Sequence, residues 1–238
     1  MVKAYYEGKF SLSDVKSVWH IGDKRTVHLS AMEAQYVSES HHAQDVQMVI
    51  LDFDHDTLTT SINGKTKALV TIDQKDCLMD EGCTNAFYNS ENGYMNAIRS
   101  NDGGWKECDR RKWCNNIYYN AFNQTFKRII KQAQHITYSN SRTTTDDYAF
   151  LPSEYEIFGR AYWSNQEGTI YPYYINSSDR TKKPVHYRPP SYKGITAVYW
   201  NRSRSSSNST YFGAMNASNT MGADFADDLL PIAPAVCL

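Results

Sequence analysis

At 238 residues, 41% of them hydrophobic and 21% charged, the chain is long enough for one large or two small domains and has the balance of a folded, soluble protein. A formal net charge of -1 gives no basic excess to drive phosphate binding, which excludes nucleic acid as an expected partner. No apolar run approaches the roughly 20 residues of a membrane span, and the opening Met1-Val-Lys-Ala-Tyr-Tyr-Glu has no apolar stretch of secretory type, so neither membrane insertion nor a signal peptide is expected.

In chain order, Leu12, Val15 and Trp19 are spaced for one face of a short helix within Ser11–Trp19. A turn at Ile21-Gly-Asp-Lys-Arg precedes a strand over Thr26–Leu29. Val46-Gln-Met-Val-Ile-Leu-Asp-Phe is nearly continuously apolar, which predicts a central strand covered on both faces. Ile62-Asn-Gly-Lys is a turn, and Ala68–Ile72 a further strand. Asn101-Asp-Gly-Gly breaks the chain. Beyond it, Cys108, Trp113, Ile117, Phe122, Phe126, Ile129, Ile130 and Ala133 fall near helical spacing, divided into two helices around Phe122–Asn123. Ser139–Asp146 reads as a polar loop, Ser153 as a cap for a short turn, and Thr169–Ile175 as a tyrosine-rich strand. Asn176–Ser191 is a long polar connection to a final segment with strand character at Ala197–Trp200, Tyr211–Met215 and Ile232–Leu238. Strands, paired helices and more strands predict a single α+β domain over 1–238.

Few signals of chemistry stand out. Asp52-Phe-Asp-His-Asp56 would put three carboxylates on one face of a regular strand, as a hard cation requires. Thr57 and Asn63 replace the glycine and glutamate of a calcium-binding loop, so the solvated end of a strand is the simpler reading. His41 and His42 are adjacent and would point to opposite faces of a strand. The cysteine pairs 77/83 and 108/114 are six positions apart, unlike zinc knuckles, and read as buried thiols together with Cys237. No nucleophile elbow, phosphate loop or zinc-protease motif occurs. No cofactor and no metal is expected, and the chain is not expected to be an enzyme.

From Ala197 to Leu238, small polar residues alternate with isolated aromatics. On composition alone that fits an ordinary surface connection better than a contact surface, in which aromatics would give rigid area and Ser, Asn and Gly adaptable hydrogen bonds. The words Tyr199-Trp200-x-Arg202-Ser203, Ser207-Asn-Ser-Thr210-x-Phe212 and Ala233-Pro234-Ala235 before Cys237-Leu238 resemble a bacterial and phage domain family, DUF6273-like. It includes variable proteins of diversity-generating retroelements. Further matching words are Gly22-Asp-Lys-Arg-Thr-Val-His-Leu-Ser, Val49–Asp56, Gly103-Gly-Trp105, Arg111–Asn116 and Phe150–Gly159.

The resemblance implies a C-type-lectin-like fold, related to that of formylglycine-generating enzymes, with the first and last strands paired. It implies that 197–238 displays a diversified surface. The expected ligand-binding residues are Asn201, Arg204, Ser205, Tyr211, Gly213, Ala214, Asn216, Asp224, Phe225, Asp227, Asp228 and Leu230. Trp200, Arg202 and Phe212 are expected to frame them, Arg202 by bracing loop carbonyls. The expected partner is a protein or glycan on a host or target cell surface, and the setting a phage tail or bacterial cell surface. A formylglycine-generating type of enzyme, or a structural virion protein without ligand, are the alternatives.

Overall fold

The computed structural model describes residues 1–36, 40–78, 93–177, 180–182 and 198–238. Among them the chain is a mixed α+β structure of several small antiparallel sheets and short helices. Most of the expected long connection, and Cys83, lie outside the described residues.

The main sheet has the order β1-β2-β5-β12-β8, formed by Lys24–Leu29 (β1), Gln44–Phe53 (β2), Val70–Gln74 (β5), Ala149–Phe150 (β8) and Ala235–Cys237 (β12). In β2 alternate residues are buried up to Gln47, and then Met48–Leu51 are buried without a break. The switch has a physical cause. Met48 and Ile50 face the main core, whereas Val49 and Leu51 are covered by Ile157, Tyr171 and Tyr174 from two short helices. The expectation that the first and last strands pair is corrected: β12 lies between β5 and β8, and β1 pairs with β2. Two short helices, α1 (Val2–Tyr6) and α2 (Leu12–Lys16, within the helix expected over Ser11–Trp19), open the chain, and its ends meet through the Tyr6 hydroxyl, which donates to the Leu238 carbonyl at 3.1 Å.

A second sheet has the order β4-β3-β6-β7, from Thr57–Ile62 (β3), Lys65–Lys67 (β4), Ala133–Tyr138 (β6) and Arg142–Asp147 (β7). Asn63 and Gly64 both have positive φ, the geometry of a two-residue hairpin turn. The segment expected to be a polar loop is mostly β7. Its threonines fit a pleated, half-solvated surface, and Thr143–Thr145 pair across to β6.

The helical stretch is broken by its own backbone. Helices α3 (Gly104–Glu107) and α4 (Asp109–Trp113), a π-turn (Cys114–Tyr118) and α5 (Tyr119–Ala121) lead to an extended Phe122, as expected. The Asn123 side chain then caps α6 (Gln124–Lys127) by accepting from the Phe126 amide at 2.9 Å. The second helix is shorter than expected, because Ala133 already belongs to β6. Buried Asp147 fastens this stretch to the second sheet, accepting from Arg111 at 2.6 Å, Thr145 at 2.7 Å, Asn115 at 2.9 Å and Trp105 at 3.1 Å.

Ser153 caps α7 (Glu154–Phe158) in a reciprocal capping box with Glu156. The expected tyrosine-rich strand is instead helix α8 (Pro172–Asn176). Pro172 at its first position presets φ for a helix. Tyr171 and Tyr174, three apart, turn inward together and donate to the buried carboxylates of Asp56 and Asp73.

Candidate functional site

The third sheet has the order β11-β10-β9, from Tyr199–Arg204 (β9), Tyr211–Met215 (β10) and Met221–Phe225 (β11). Tyr211 pairs with Phe225, and Phe212 with Asp224. Because side chains alternate across a strand, Tyr211 and Phe225 share one face and Phe212 and Asp224 the other. The two aromatic rings meet edge to face at 4.7 Å. The exposed Arg99 guanidinium sits 3.9 Å over the Phe225 ring and donates to Asp227 at 2.8 Å. The Phe225 amide donates to Asp228 at 3.1 Å. Burial and the neighbouring Asp228 charge raise the pKa of Asp224 from its ordinary value.

The turn between β9 and β10 is held from both sides. Buried Asn101 donates from its amide to the carbonyls of Asn208 and Tyr211, each at 2.7 Å, and of Ser205 at 3.3 Å. On the other side, the buried Glu154 carboxylate collects the backbone amides of Tyr162 at 2.6 Å, Trp163 at 3.2 Å and Ser164 at 3.0 Å. This fixes a loop whose Tyr162 and Trp163 side chains are exposed. Ser206 donates to the Trp163 carbonyl from its amide at 2.8 Å and its hydroxyl at 3.0 Å. Sequence reasoning missed Arg99, Tyr162 and Trp163. Two aromatics in the Ser-, Asn- and Gly-containing stretch 160–168 carry the same compositional signal as the C-terminal segment. For Arg99 no local signal exists.

Of the expected contact residues, Arg204, Tyr211, Asn216, Asp224, Phe225, Asp227, Asp228 and Leu230 are partly exposed. Tyr211, Phe225, Asp227 and Asp228 come together with Arg99. Asn216 lies at the opposite end of the β10–β11 hairpin, roughly 17 Å along the chain from Tyr211. Leu230 packs against the main core, and Arg204 donates to the Ser139 carbonyl at 2.5 Å.

Asn201, Ser205, Gly213 and Ala214 require a correction, because all four are buried. The Asn201 side chain accepts from the Ser203 amide at 2.9 Å, and a Cβ on Gly213 would lie 2.5 Å from Asn201 Oδ1. Ala214 sits in the main core, and the Ser205 hydroxyl accepts turn amides from Ser207 and Asn208. They support the surface from beneath.

Phe212 is buried, and the buried Trp200 indole donates to the Gly93 carbonyl at 3.2 Å. Arg202 is buried too. It braces the Leu151 carbonyl at 2.9 Å and the Ile136 carbonyl at 3.2 Å, and holds Glu156 through two bonds of 2.6 and 2.7 Å.

Arg202 is one side of a buried polar cluster. Asp56 does not stand at a solvated strand end. The chain turns at Asp54, which has positive φ, and so separates the three carboxylates. Asp52 pairs with His55 at 2.8 Å, Asp54 is exposed, and Asp56 goes inside. There it accepts from Thr71 and from the Tyr171 hydroxyl at 3.1 Å, and lies 3.7 Å from His135 Nδ1. Burial opposes charge on Asp56, but the imidazoles of His135 and His55 and the two hydroxyls outweigh it and hold its pKa low. Burial pushes the His135 pKa down, against the pull of Asp56.

Glu167 accepts from Ser203 at 2.6 Å, the Tyr138 amide at 2.9 Å and Thr137 at 3.1 Å. Burial nevertheless pushes its pKa up to about 7, with Arg202 pulling the other way. Asp56, His135 and Glu156 line a polar cavity of about 540 Å³ that also touches His55, Lys67 and Thr169. The described thiols Cys77, Cys108, Cys114 and Cys237 are buried, and desolvation raises Cys108 to about 12 and Cys237 well above the usual thiol value. Cys108, Cys114 and Cys237, all raised by burial, are protonated at neutral pH, which makes them poor nucleophiles.

The model of a family described as Domain of unknown function (DUF6273) matches residues 67–238. No curated protein and no solved structure matches the chain. No described helix is long and apolar enough to cross a membrane.

Proposed function

Since the chain belongs to the DUF6273 family, we propose that it is a recognition module of the kind found among the variable proteins of diversity-generating retroelements, with a C-type-lectin-like arrangement of its last sheet. It binds a protein or glycan on the surface of a host or target cell, from a phage tail or a bacterial surface. The observation that carries this reading is the Tyr211–Phe225 pair across β10 and the edge strand β11, with Arg99 stacked on Phe225 and Asp227 and Asp228 beside it. Partly exposed aromatics fixed by a cation and ringed by carboxylates give large contact area at small entropic cost. The exposed Tyr162 and Trp163 extend the surface past the β9–β10 turn. The buried Trp200, Arg202 and Phe212 keep the sheet rigid whatever side chains it presents.

The test uses purified chain, labelled and titrated onto a panel of intact bacterial cells and onto a glycan array, beside Tyr211→Ala and Phe225→Ala. Each substitution is expected to weaken binding by about tenfold or more, while the loss of the edge-to-face contact costs only about 1 kcal/mol of stability. Variants that bind as tightly as the wild type sink the reading. Sequencing the locus tests the retroelement assignment separately: a reverse-transcriptase gene and a near-copy of the codons for 197–238 are expected beside it.

A further inference from the structure

The buried Asp56–His135–Glu156 cluster has no part in that surface and is built unlike an ordinary polar core. Two buried carboxyl groups, Asp56 and Glu156, line one cavity, and the buried guanidinium of Arg202 bonds Glu156 but not Asp56. A low-dielectric interior penalises such an excess of negative charge unless a cation joins it.

The donor atoms are also open to an ion. His135 Nδ1 stands 3.7 Å from Asp56 Oδ1, beyond hydrogen-bond range. That gap approaches the separation of about 3.3 Å between two donors of one tetrahedral ion with bonds of about 2.0 Å. No hydrogen bond to a described residue holds His135 Nδ1, so its lone pair is open to an ion when the ring carries its proton on the buried Nε2. Glu156 spends one bond of Oε1 and one of Oε2 on Arg202, and a second of Oε2 on the Ser153 amide. One lone pair of Oε1 is left over. The approach to Oε1 is kept clear by Gly168, where a Cβ would lie 2.4 Å from that oxygen. One ligand atom from each of Asp56, His135 and Glu156 lies within 4.8 Å of the other two.

We propose that Asp56, His135 and Glu156 bind one divalent first-row metal ion of the zinc type. One imidazole with two carboxylates suits such an ion better than the all-oxygen shell of calcium or magnesium. Thr71 and Tyr171 orient Asp56, and Arg202 and Ser153 orient Glu156, as outer partners of metal ligands do. The remaining coordination position opens into the cavity near Thr169 and Lys67, where water or a small anionic or hydroxyl-bearing ligand completes the shell. His55 is not a ligand, since its nitrogens are taken by Asp52 at 2.8 Å and Thr169 at 3.0 Å.

The full chain, stripped with a chelator and dialysed, is titrated with Co²⁺ and with Zn²⁺ near neutral pH, with Mg²⁺ as the contrast. One equivalent of Co²⁺ is expected, with a visible spectrum of nitrogen and oxygen donors, displaced by Zn²⁺ and not by Mg²⁺. His135→Gln and Asp56→Asn, checked for folding by near-ultraviolet circular dichroism, are expected to bind at least about a hundredfold more weakly. A folded wild-type chain that takes up no stoichiometric ion overturns the proposal, and so does a folded His135→Gln chain that binds as well as the wild type. If neither variant folds, the wild-type spectrum decides. A sulfur-to-cobalt charge-transfer band would assign the ion to a thiol such as Cys237, 3.7 Å from Asp56, and overturn the donor set.

Discussion

Glu167 is the residue whose charge state is most finely set. Its folded pKa, about 7, lies above the ordinary carboxylate value, so the folded chain holds this proton more tightly than the unfolded chain does. The stability it contributes is complete below the ordinary value and is lost as pH rises through about 7, a change of about 3 kcal/mol. Glu167→Gln keeps the shape, and the Ser203 and Thr137 hydroxyls can turn to suit the amide. Urea unfolding near pH 5 and near pH 8 is expected to show a smaller decline between them for the variant than for the wild type, His55 with its raised pKa contributing the same loss to both. His135, with its lowered pKa, gives the opposite slope in both chains, so the comparison cancels it. A wild-type-minus-variant difference that does not change with pH would remove Glu167 as the titrating group. At this scale the sequence was legible where a role is local. Ser153 with Glu156 three residues on spells its own capping box. Asp56 was not legible, because its partners Thr71, His135 and Tyr171 are remote in sequence and the left-handed turn at Asp54 leaves no compositional mark.

Elements were legible where period and punctuation agree. The continuous apolar run of β2, the Asn63-Gly64 hairpin and the break at Phe122–Asn123 follow from strand pattern, turn chemistry and capping. Helix α8 and strand β7 were not, since two tyrosines three apart in a helix and threonines in a strand look alike in a short polar window. Glycine at one helix start is demanded by both backbone and neighbour. Gly104 has φ +55°, and a Cβ there would stand 2.0 Å from the Tyr138 carbonyl oxygen. Main chain cannot swing aside as a long side chain can. Gly104→Ala is therefore expected to destabilise by more than about 2 kcal/mol in chemical denaturation. A shift within about 0.5 kcal/mol, the range of ordinary surface changes, would mean that α3 and β6 separate more easily than their packing implies.

On the scale of the whole molecule, the chain's last residues lie at its centre. β12 is an interior strand between β5 and β8, Lys131 bridges to Cys237, and the Tyr6 hydroxyl reaches the Leu238 carbonyl. Removing residues 235–238 exposes two strand edges and the buried Ala235, Val236, Cys237 and Leu238 together. Such a chain is expected to lose its cooperative thermal transition and near-ultraviolet signal, whereas a tail merely docked on the surface would be shed with little loss. The exposed aromatics and the ion-binding cluster both depend on this centre, through β9 to β11 and through Asp56.

By itself the sequence determined the α+β class, the capped turns and the central strand, because each is written within a window of a few residues. Only the tertiary structure decided that Arg99 stacks on Phe225, that Asn201, Ser205, Gly213 and Ala214 lie beneath the surface, and that Asp56, His135 and Glu156 meet. The reason is geometric: alternation along a strand says which residues share a face, but which face meets the core is fixed by segments a hundred residues away, and burial then sets both exposure and charge.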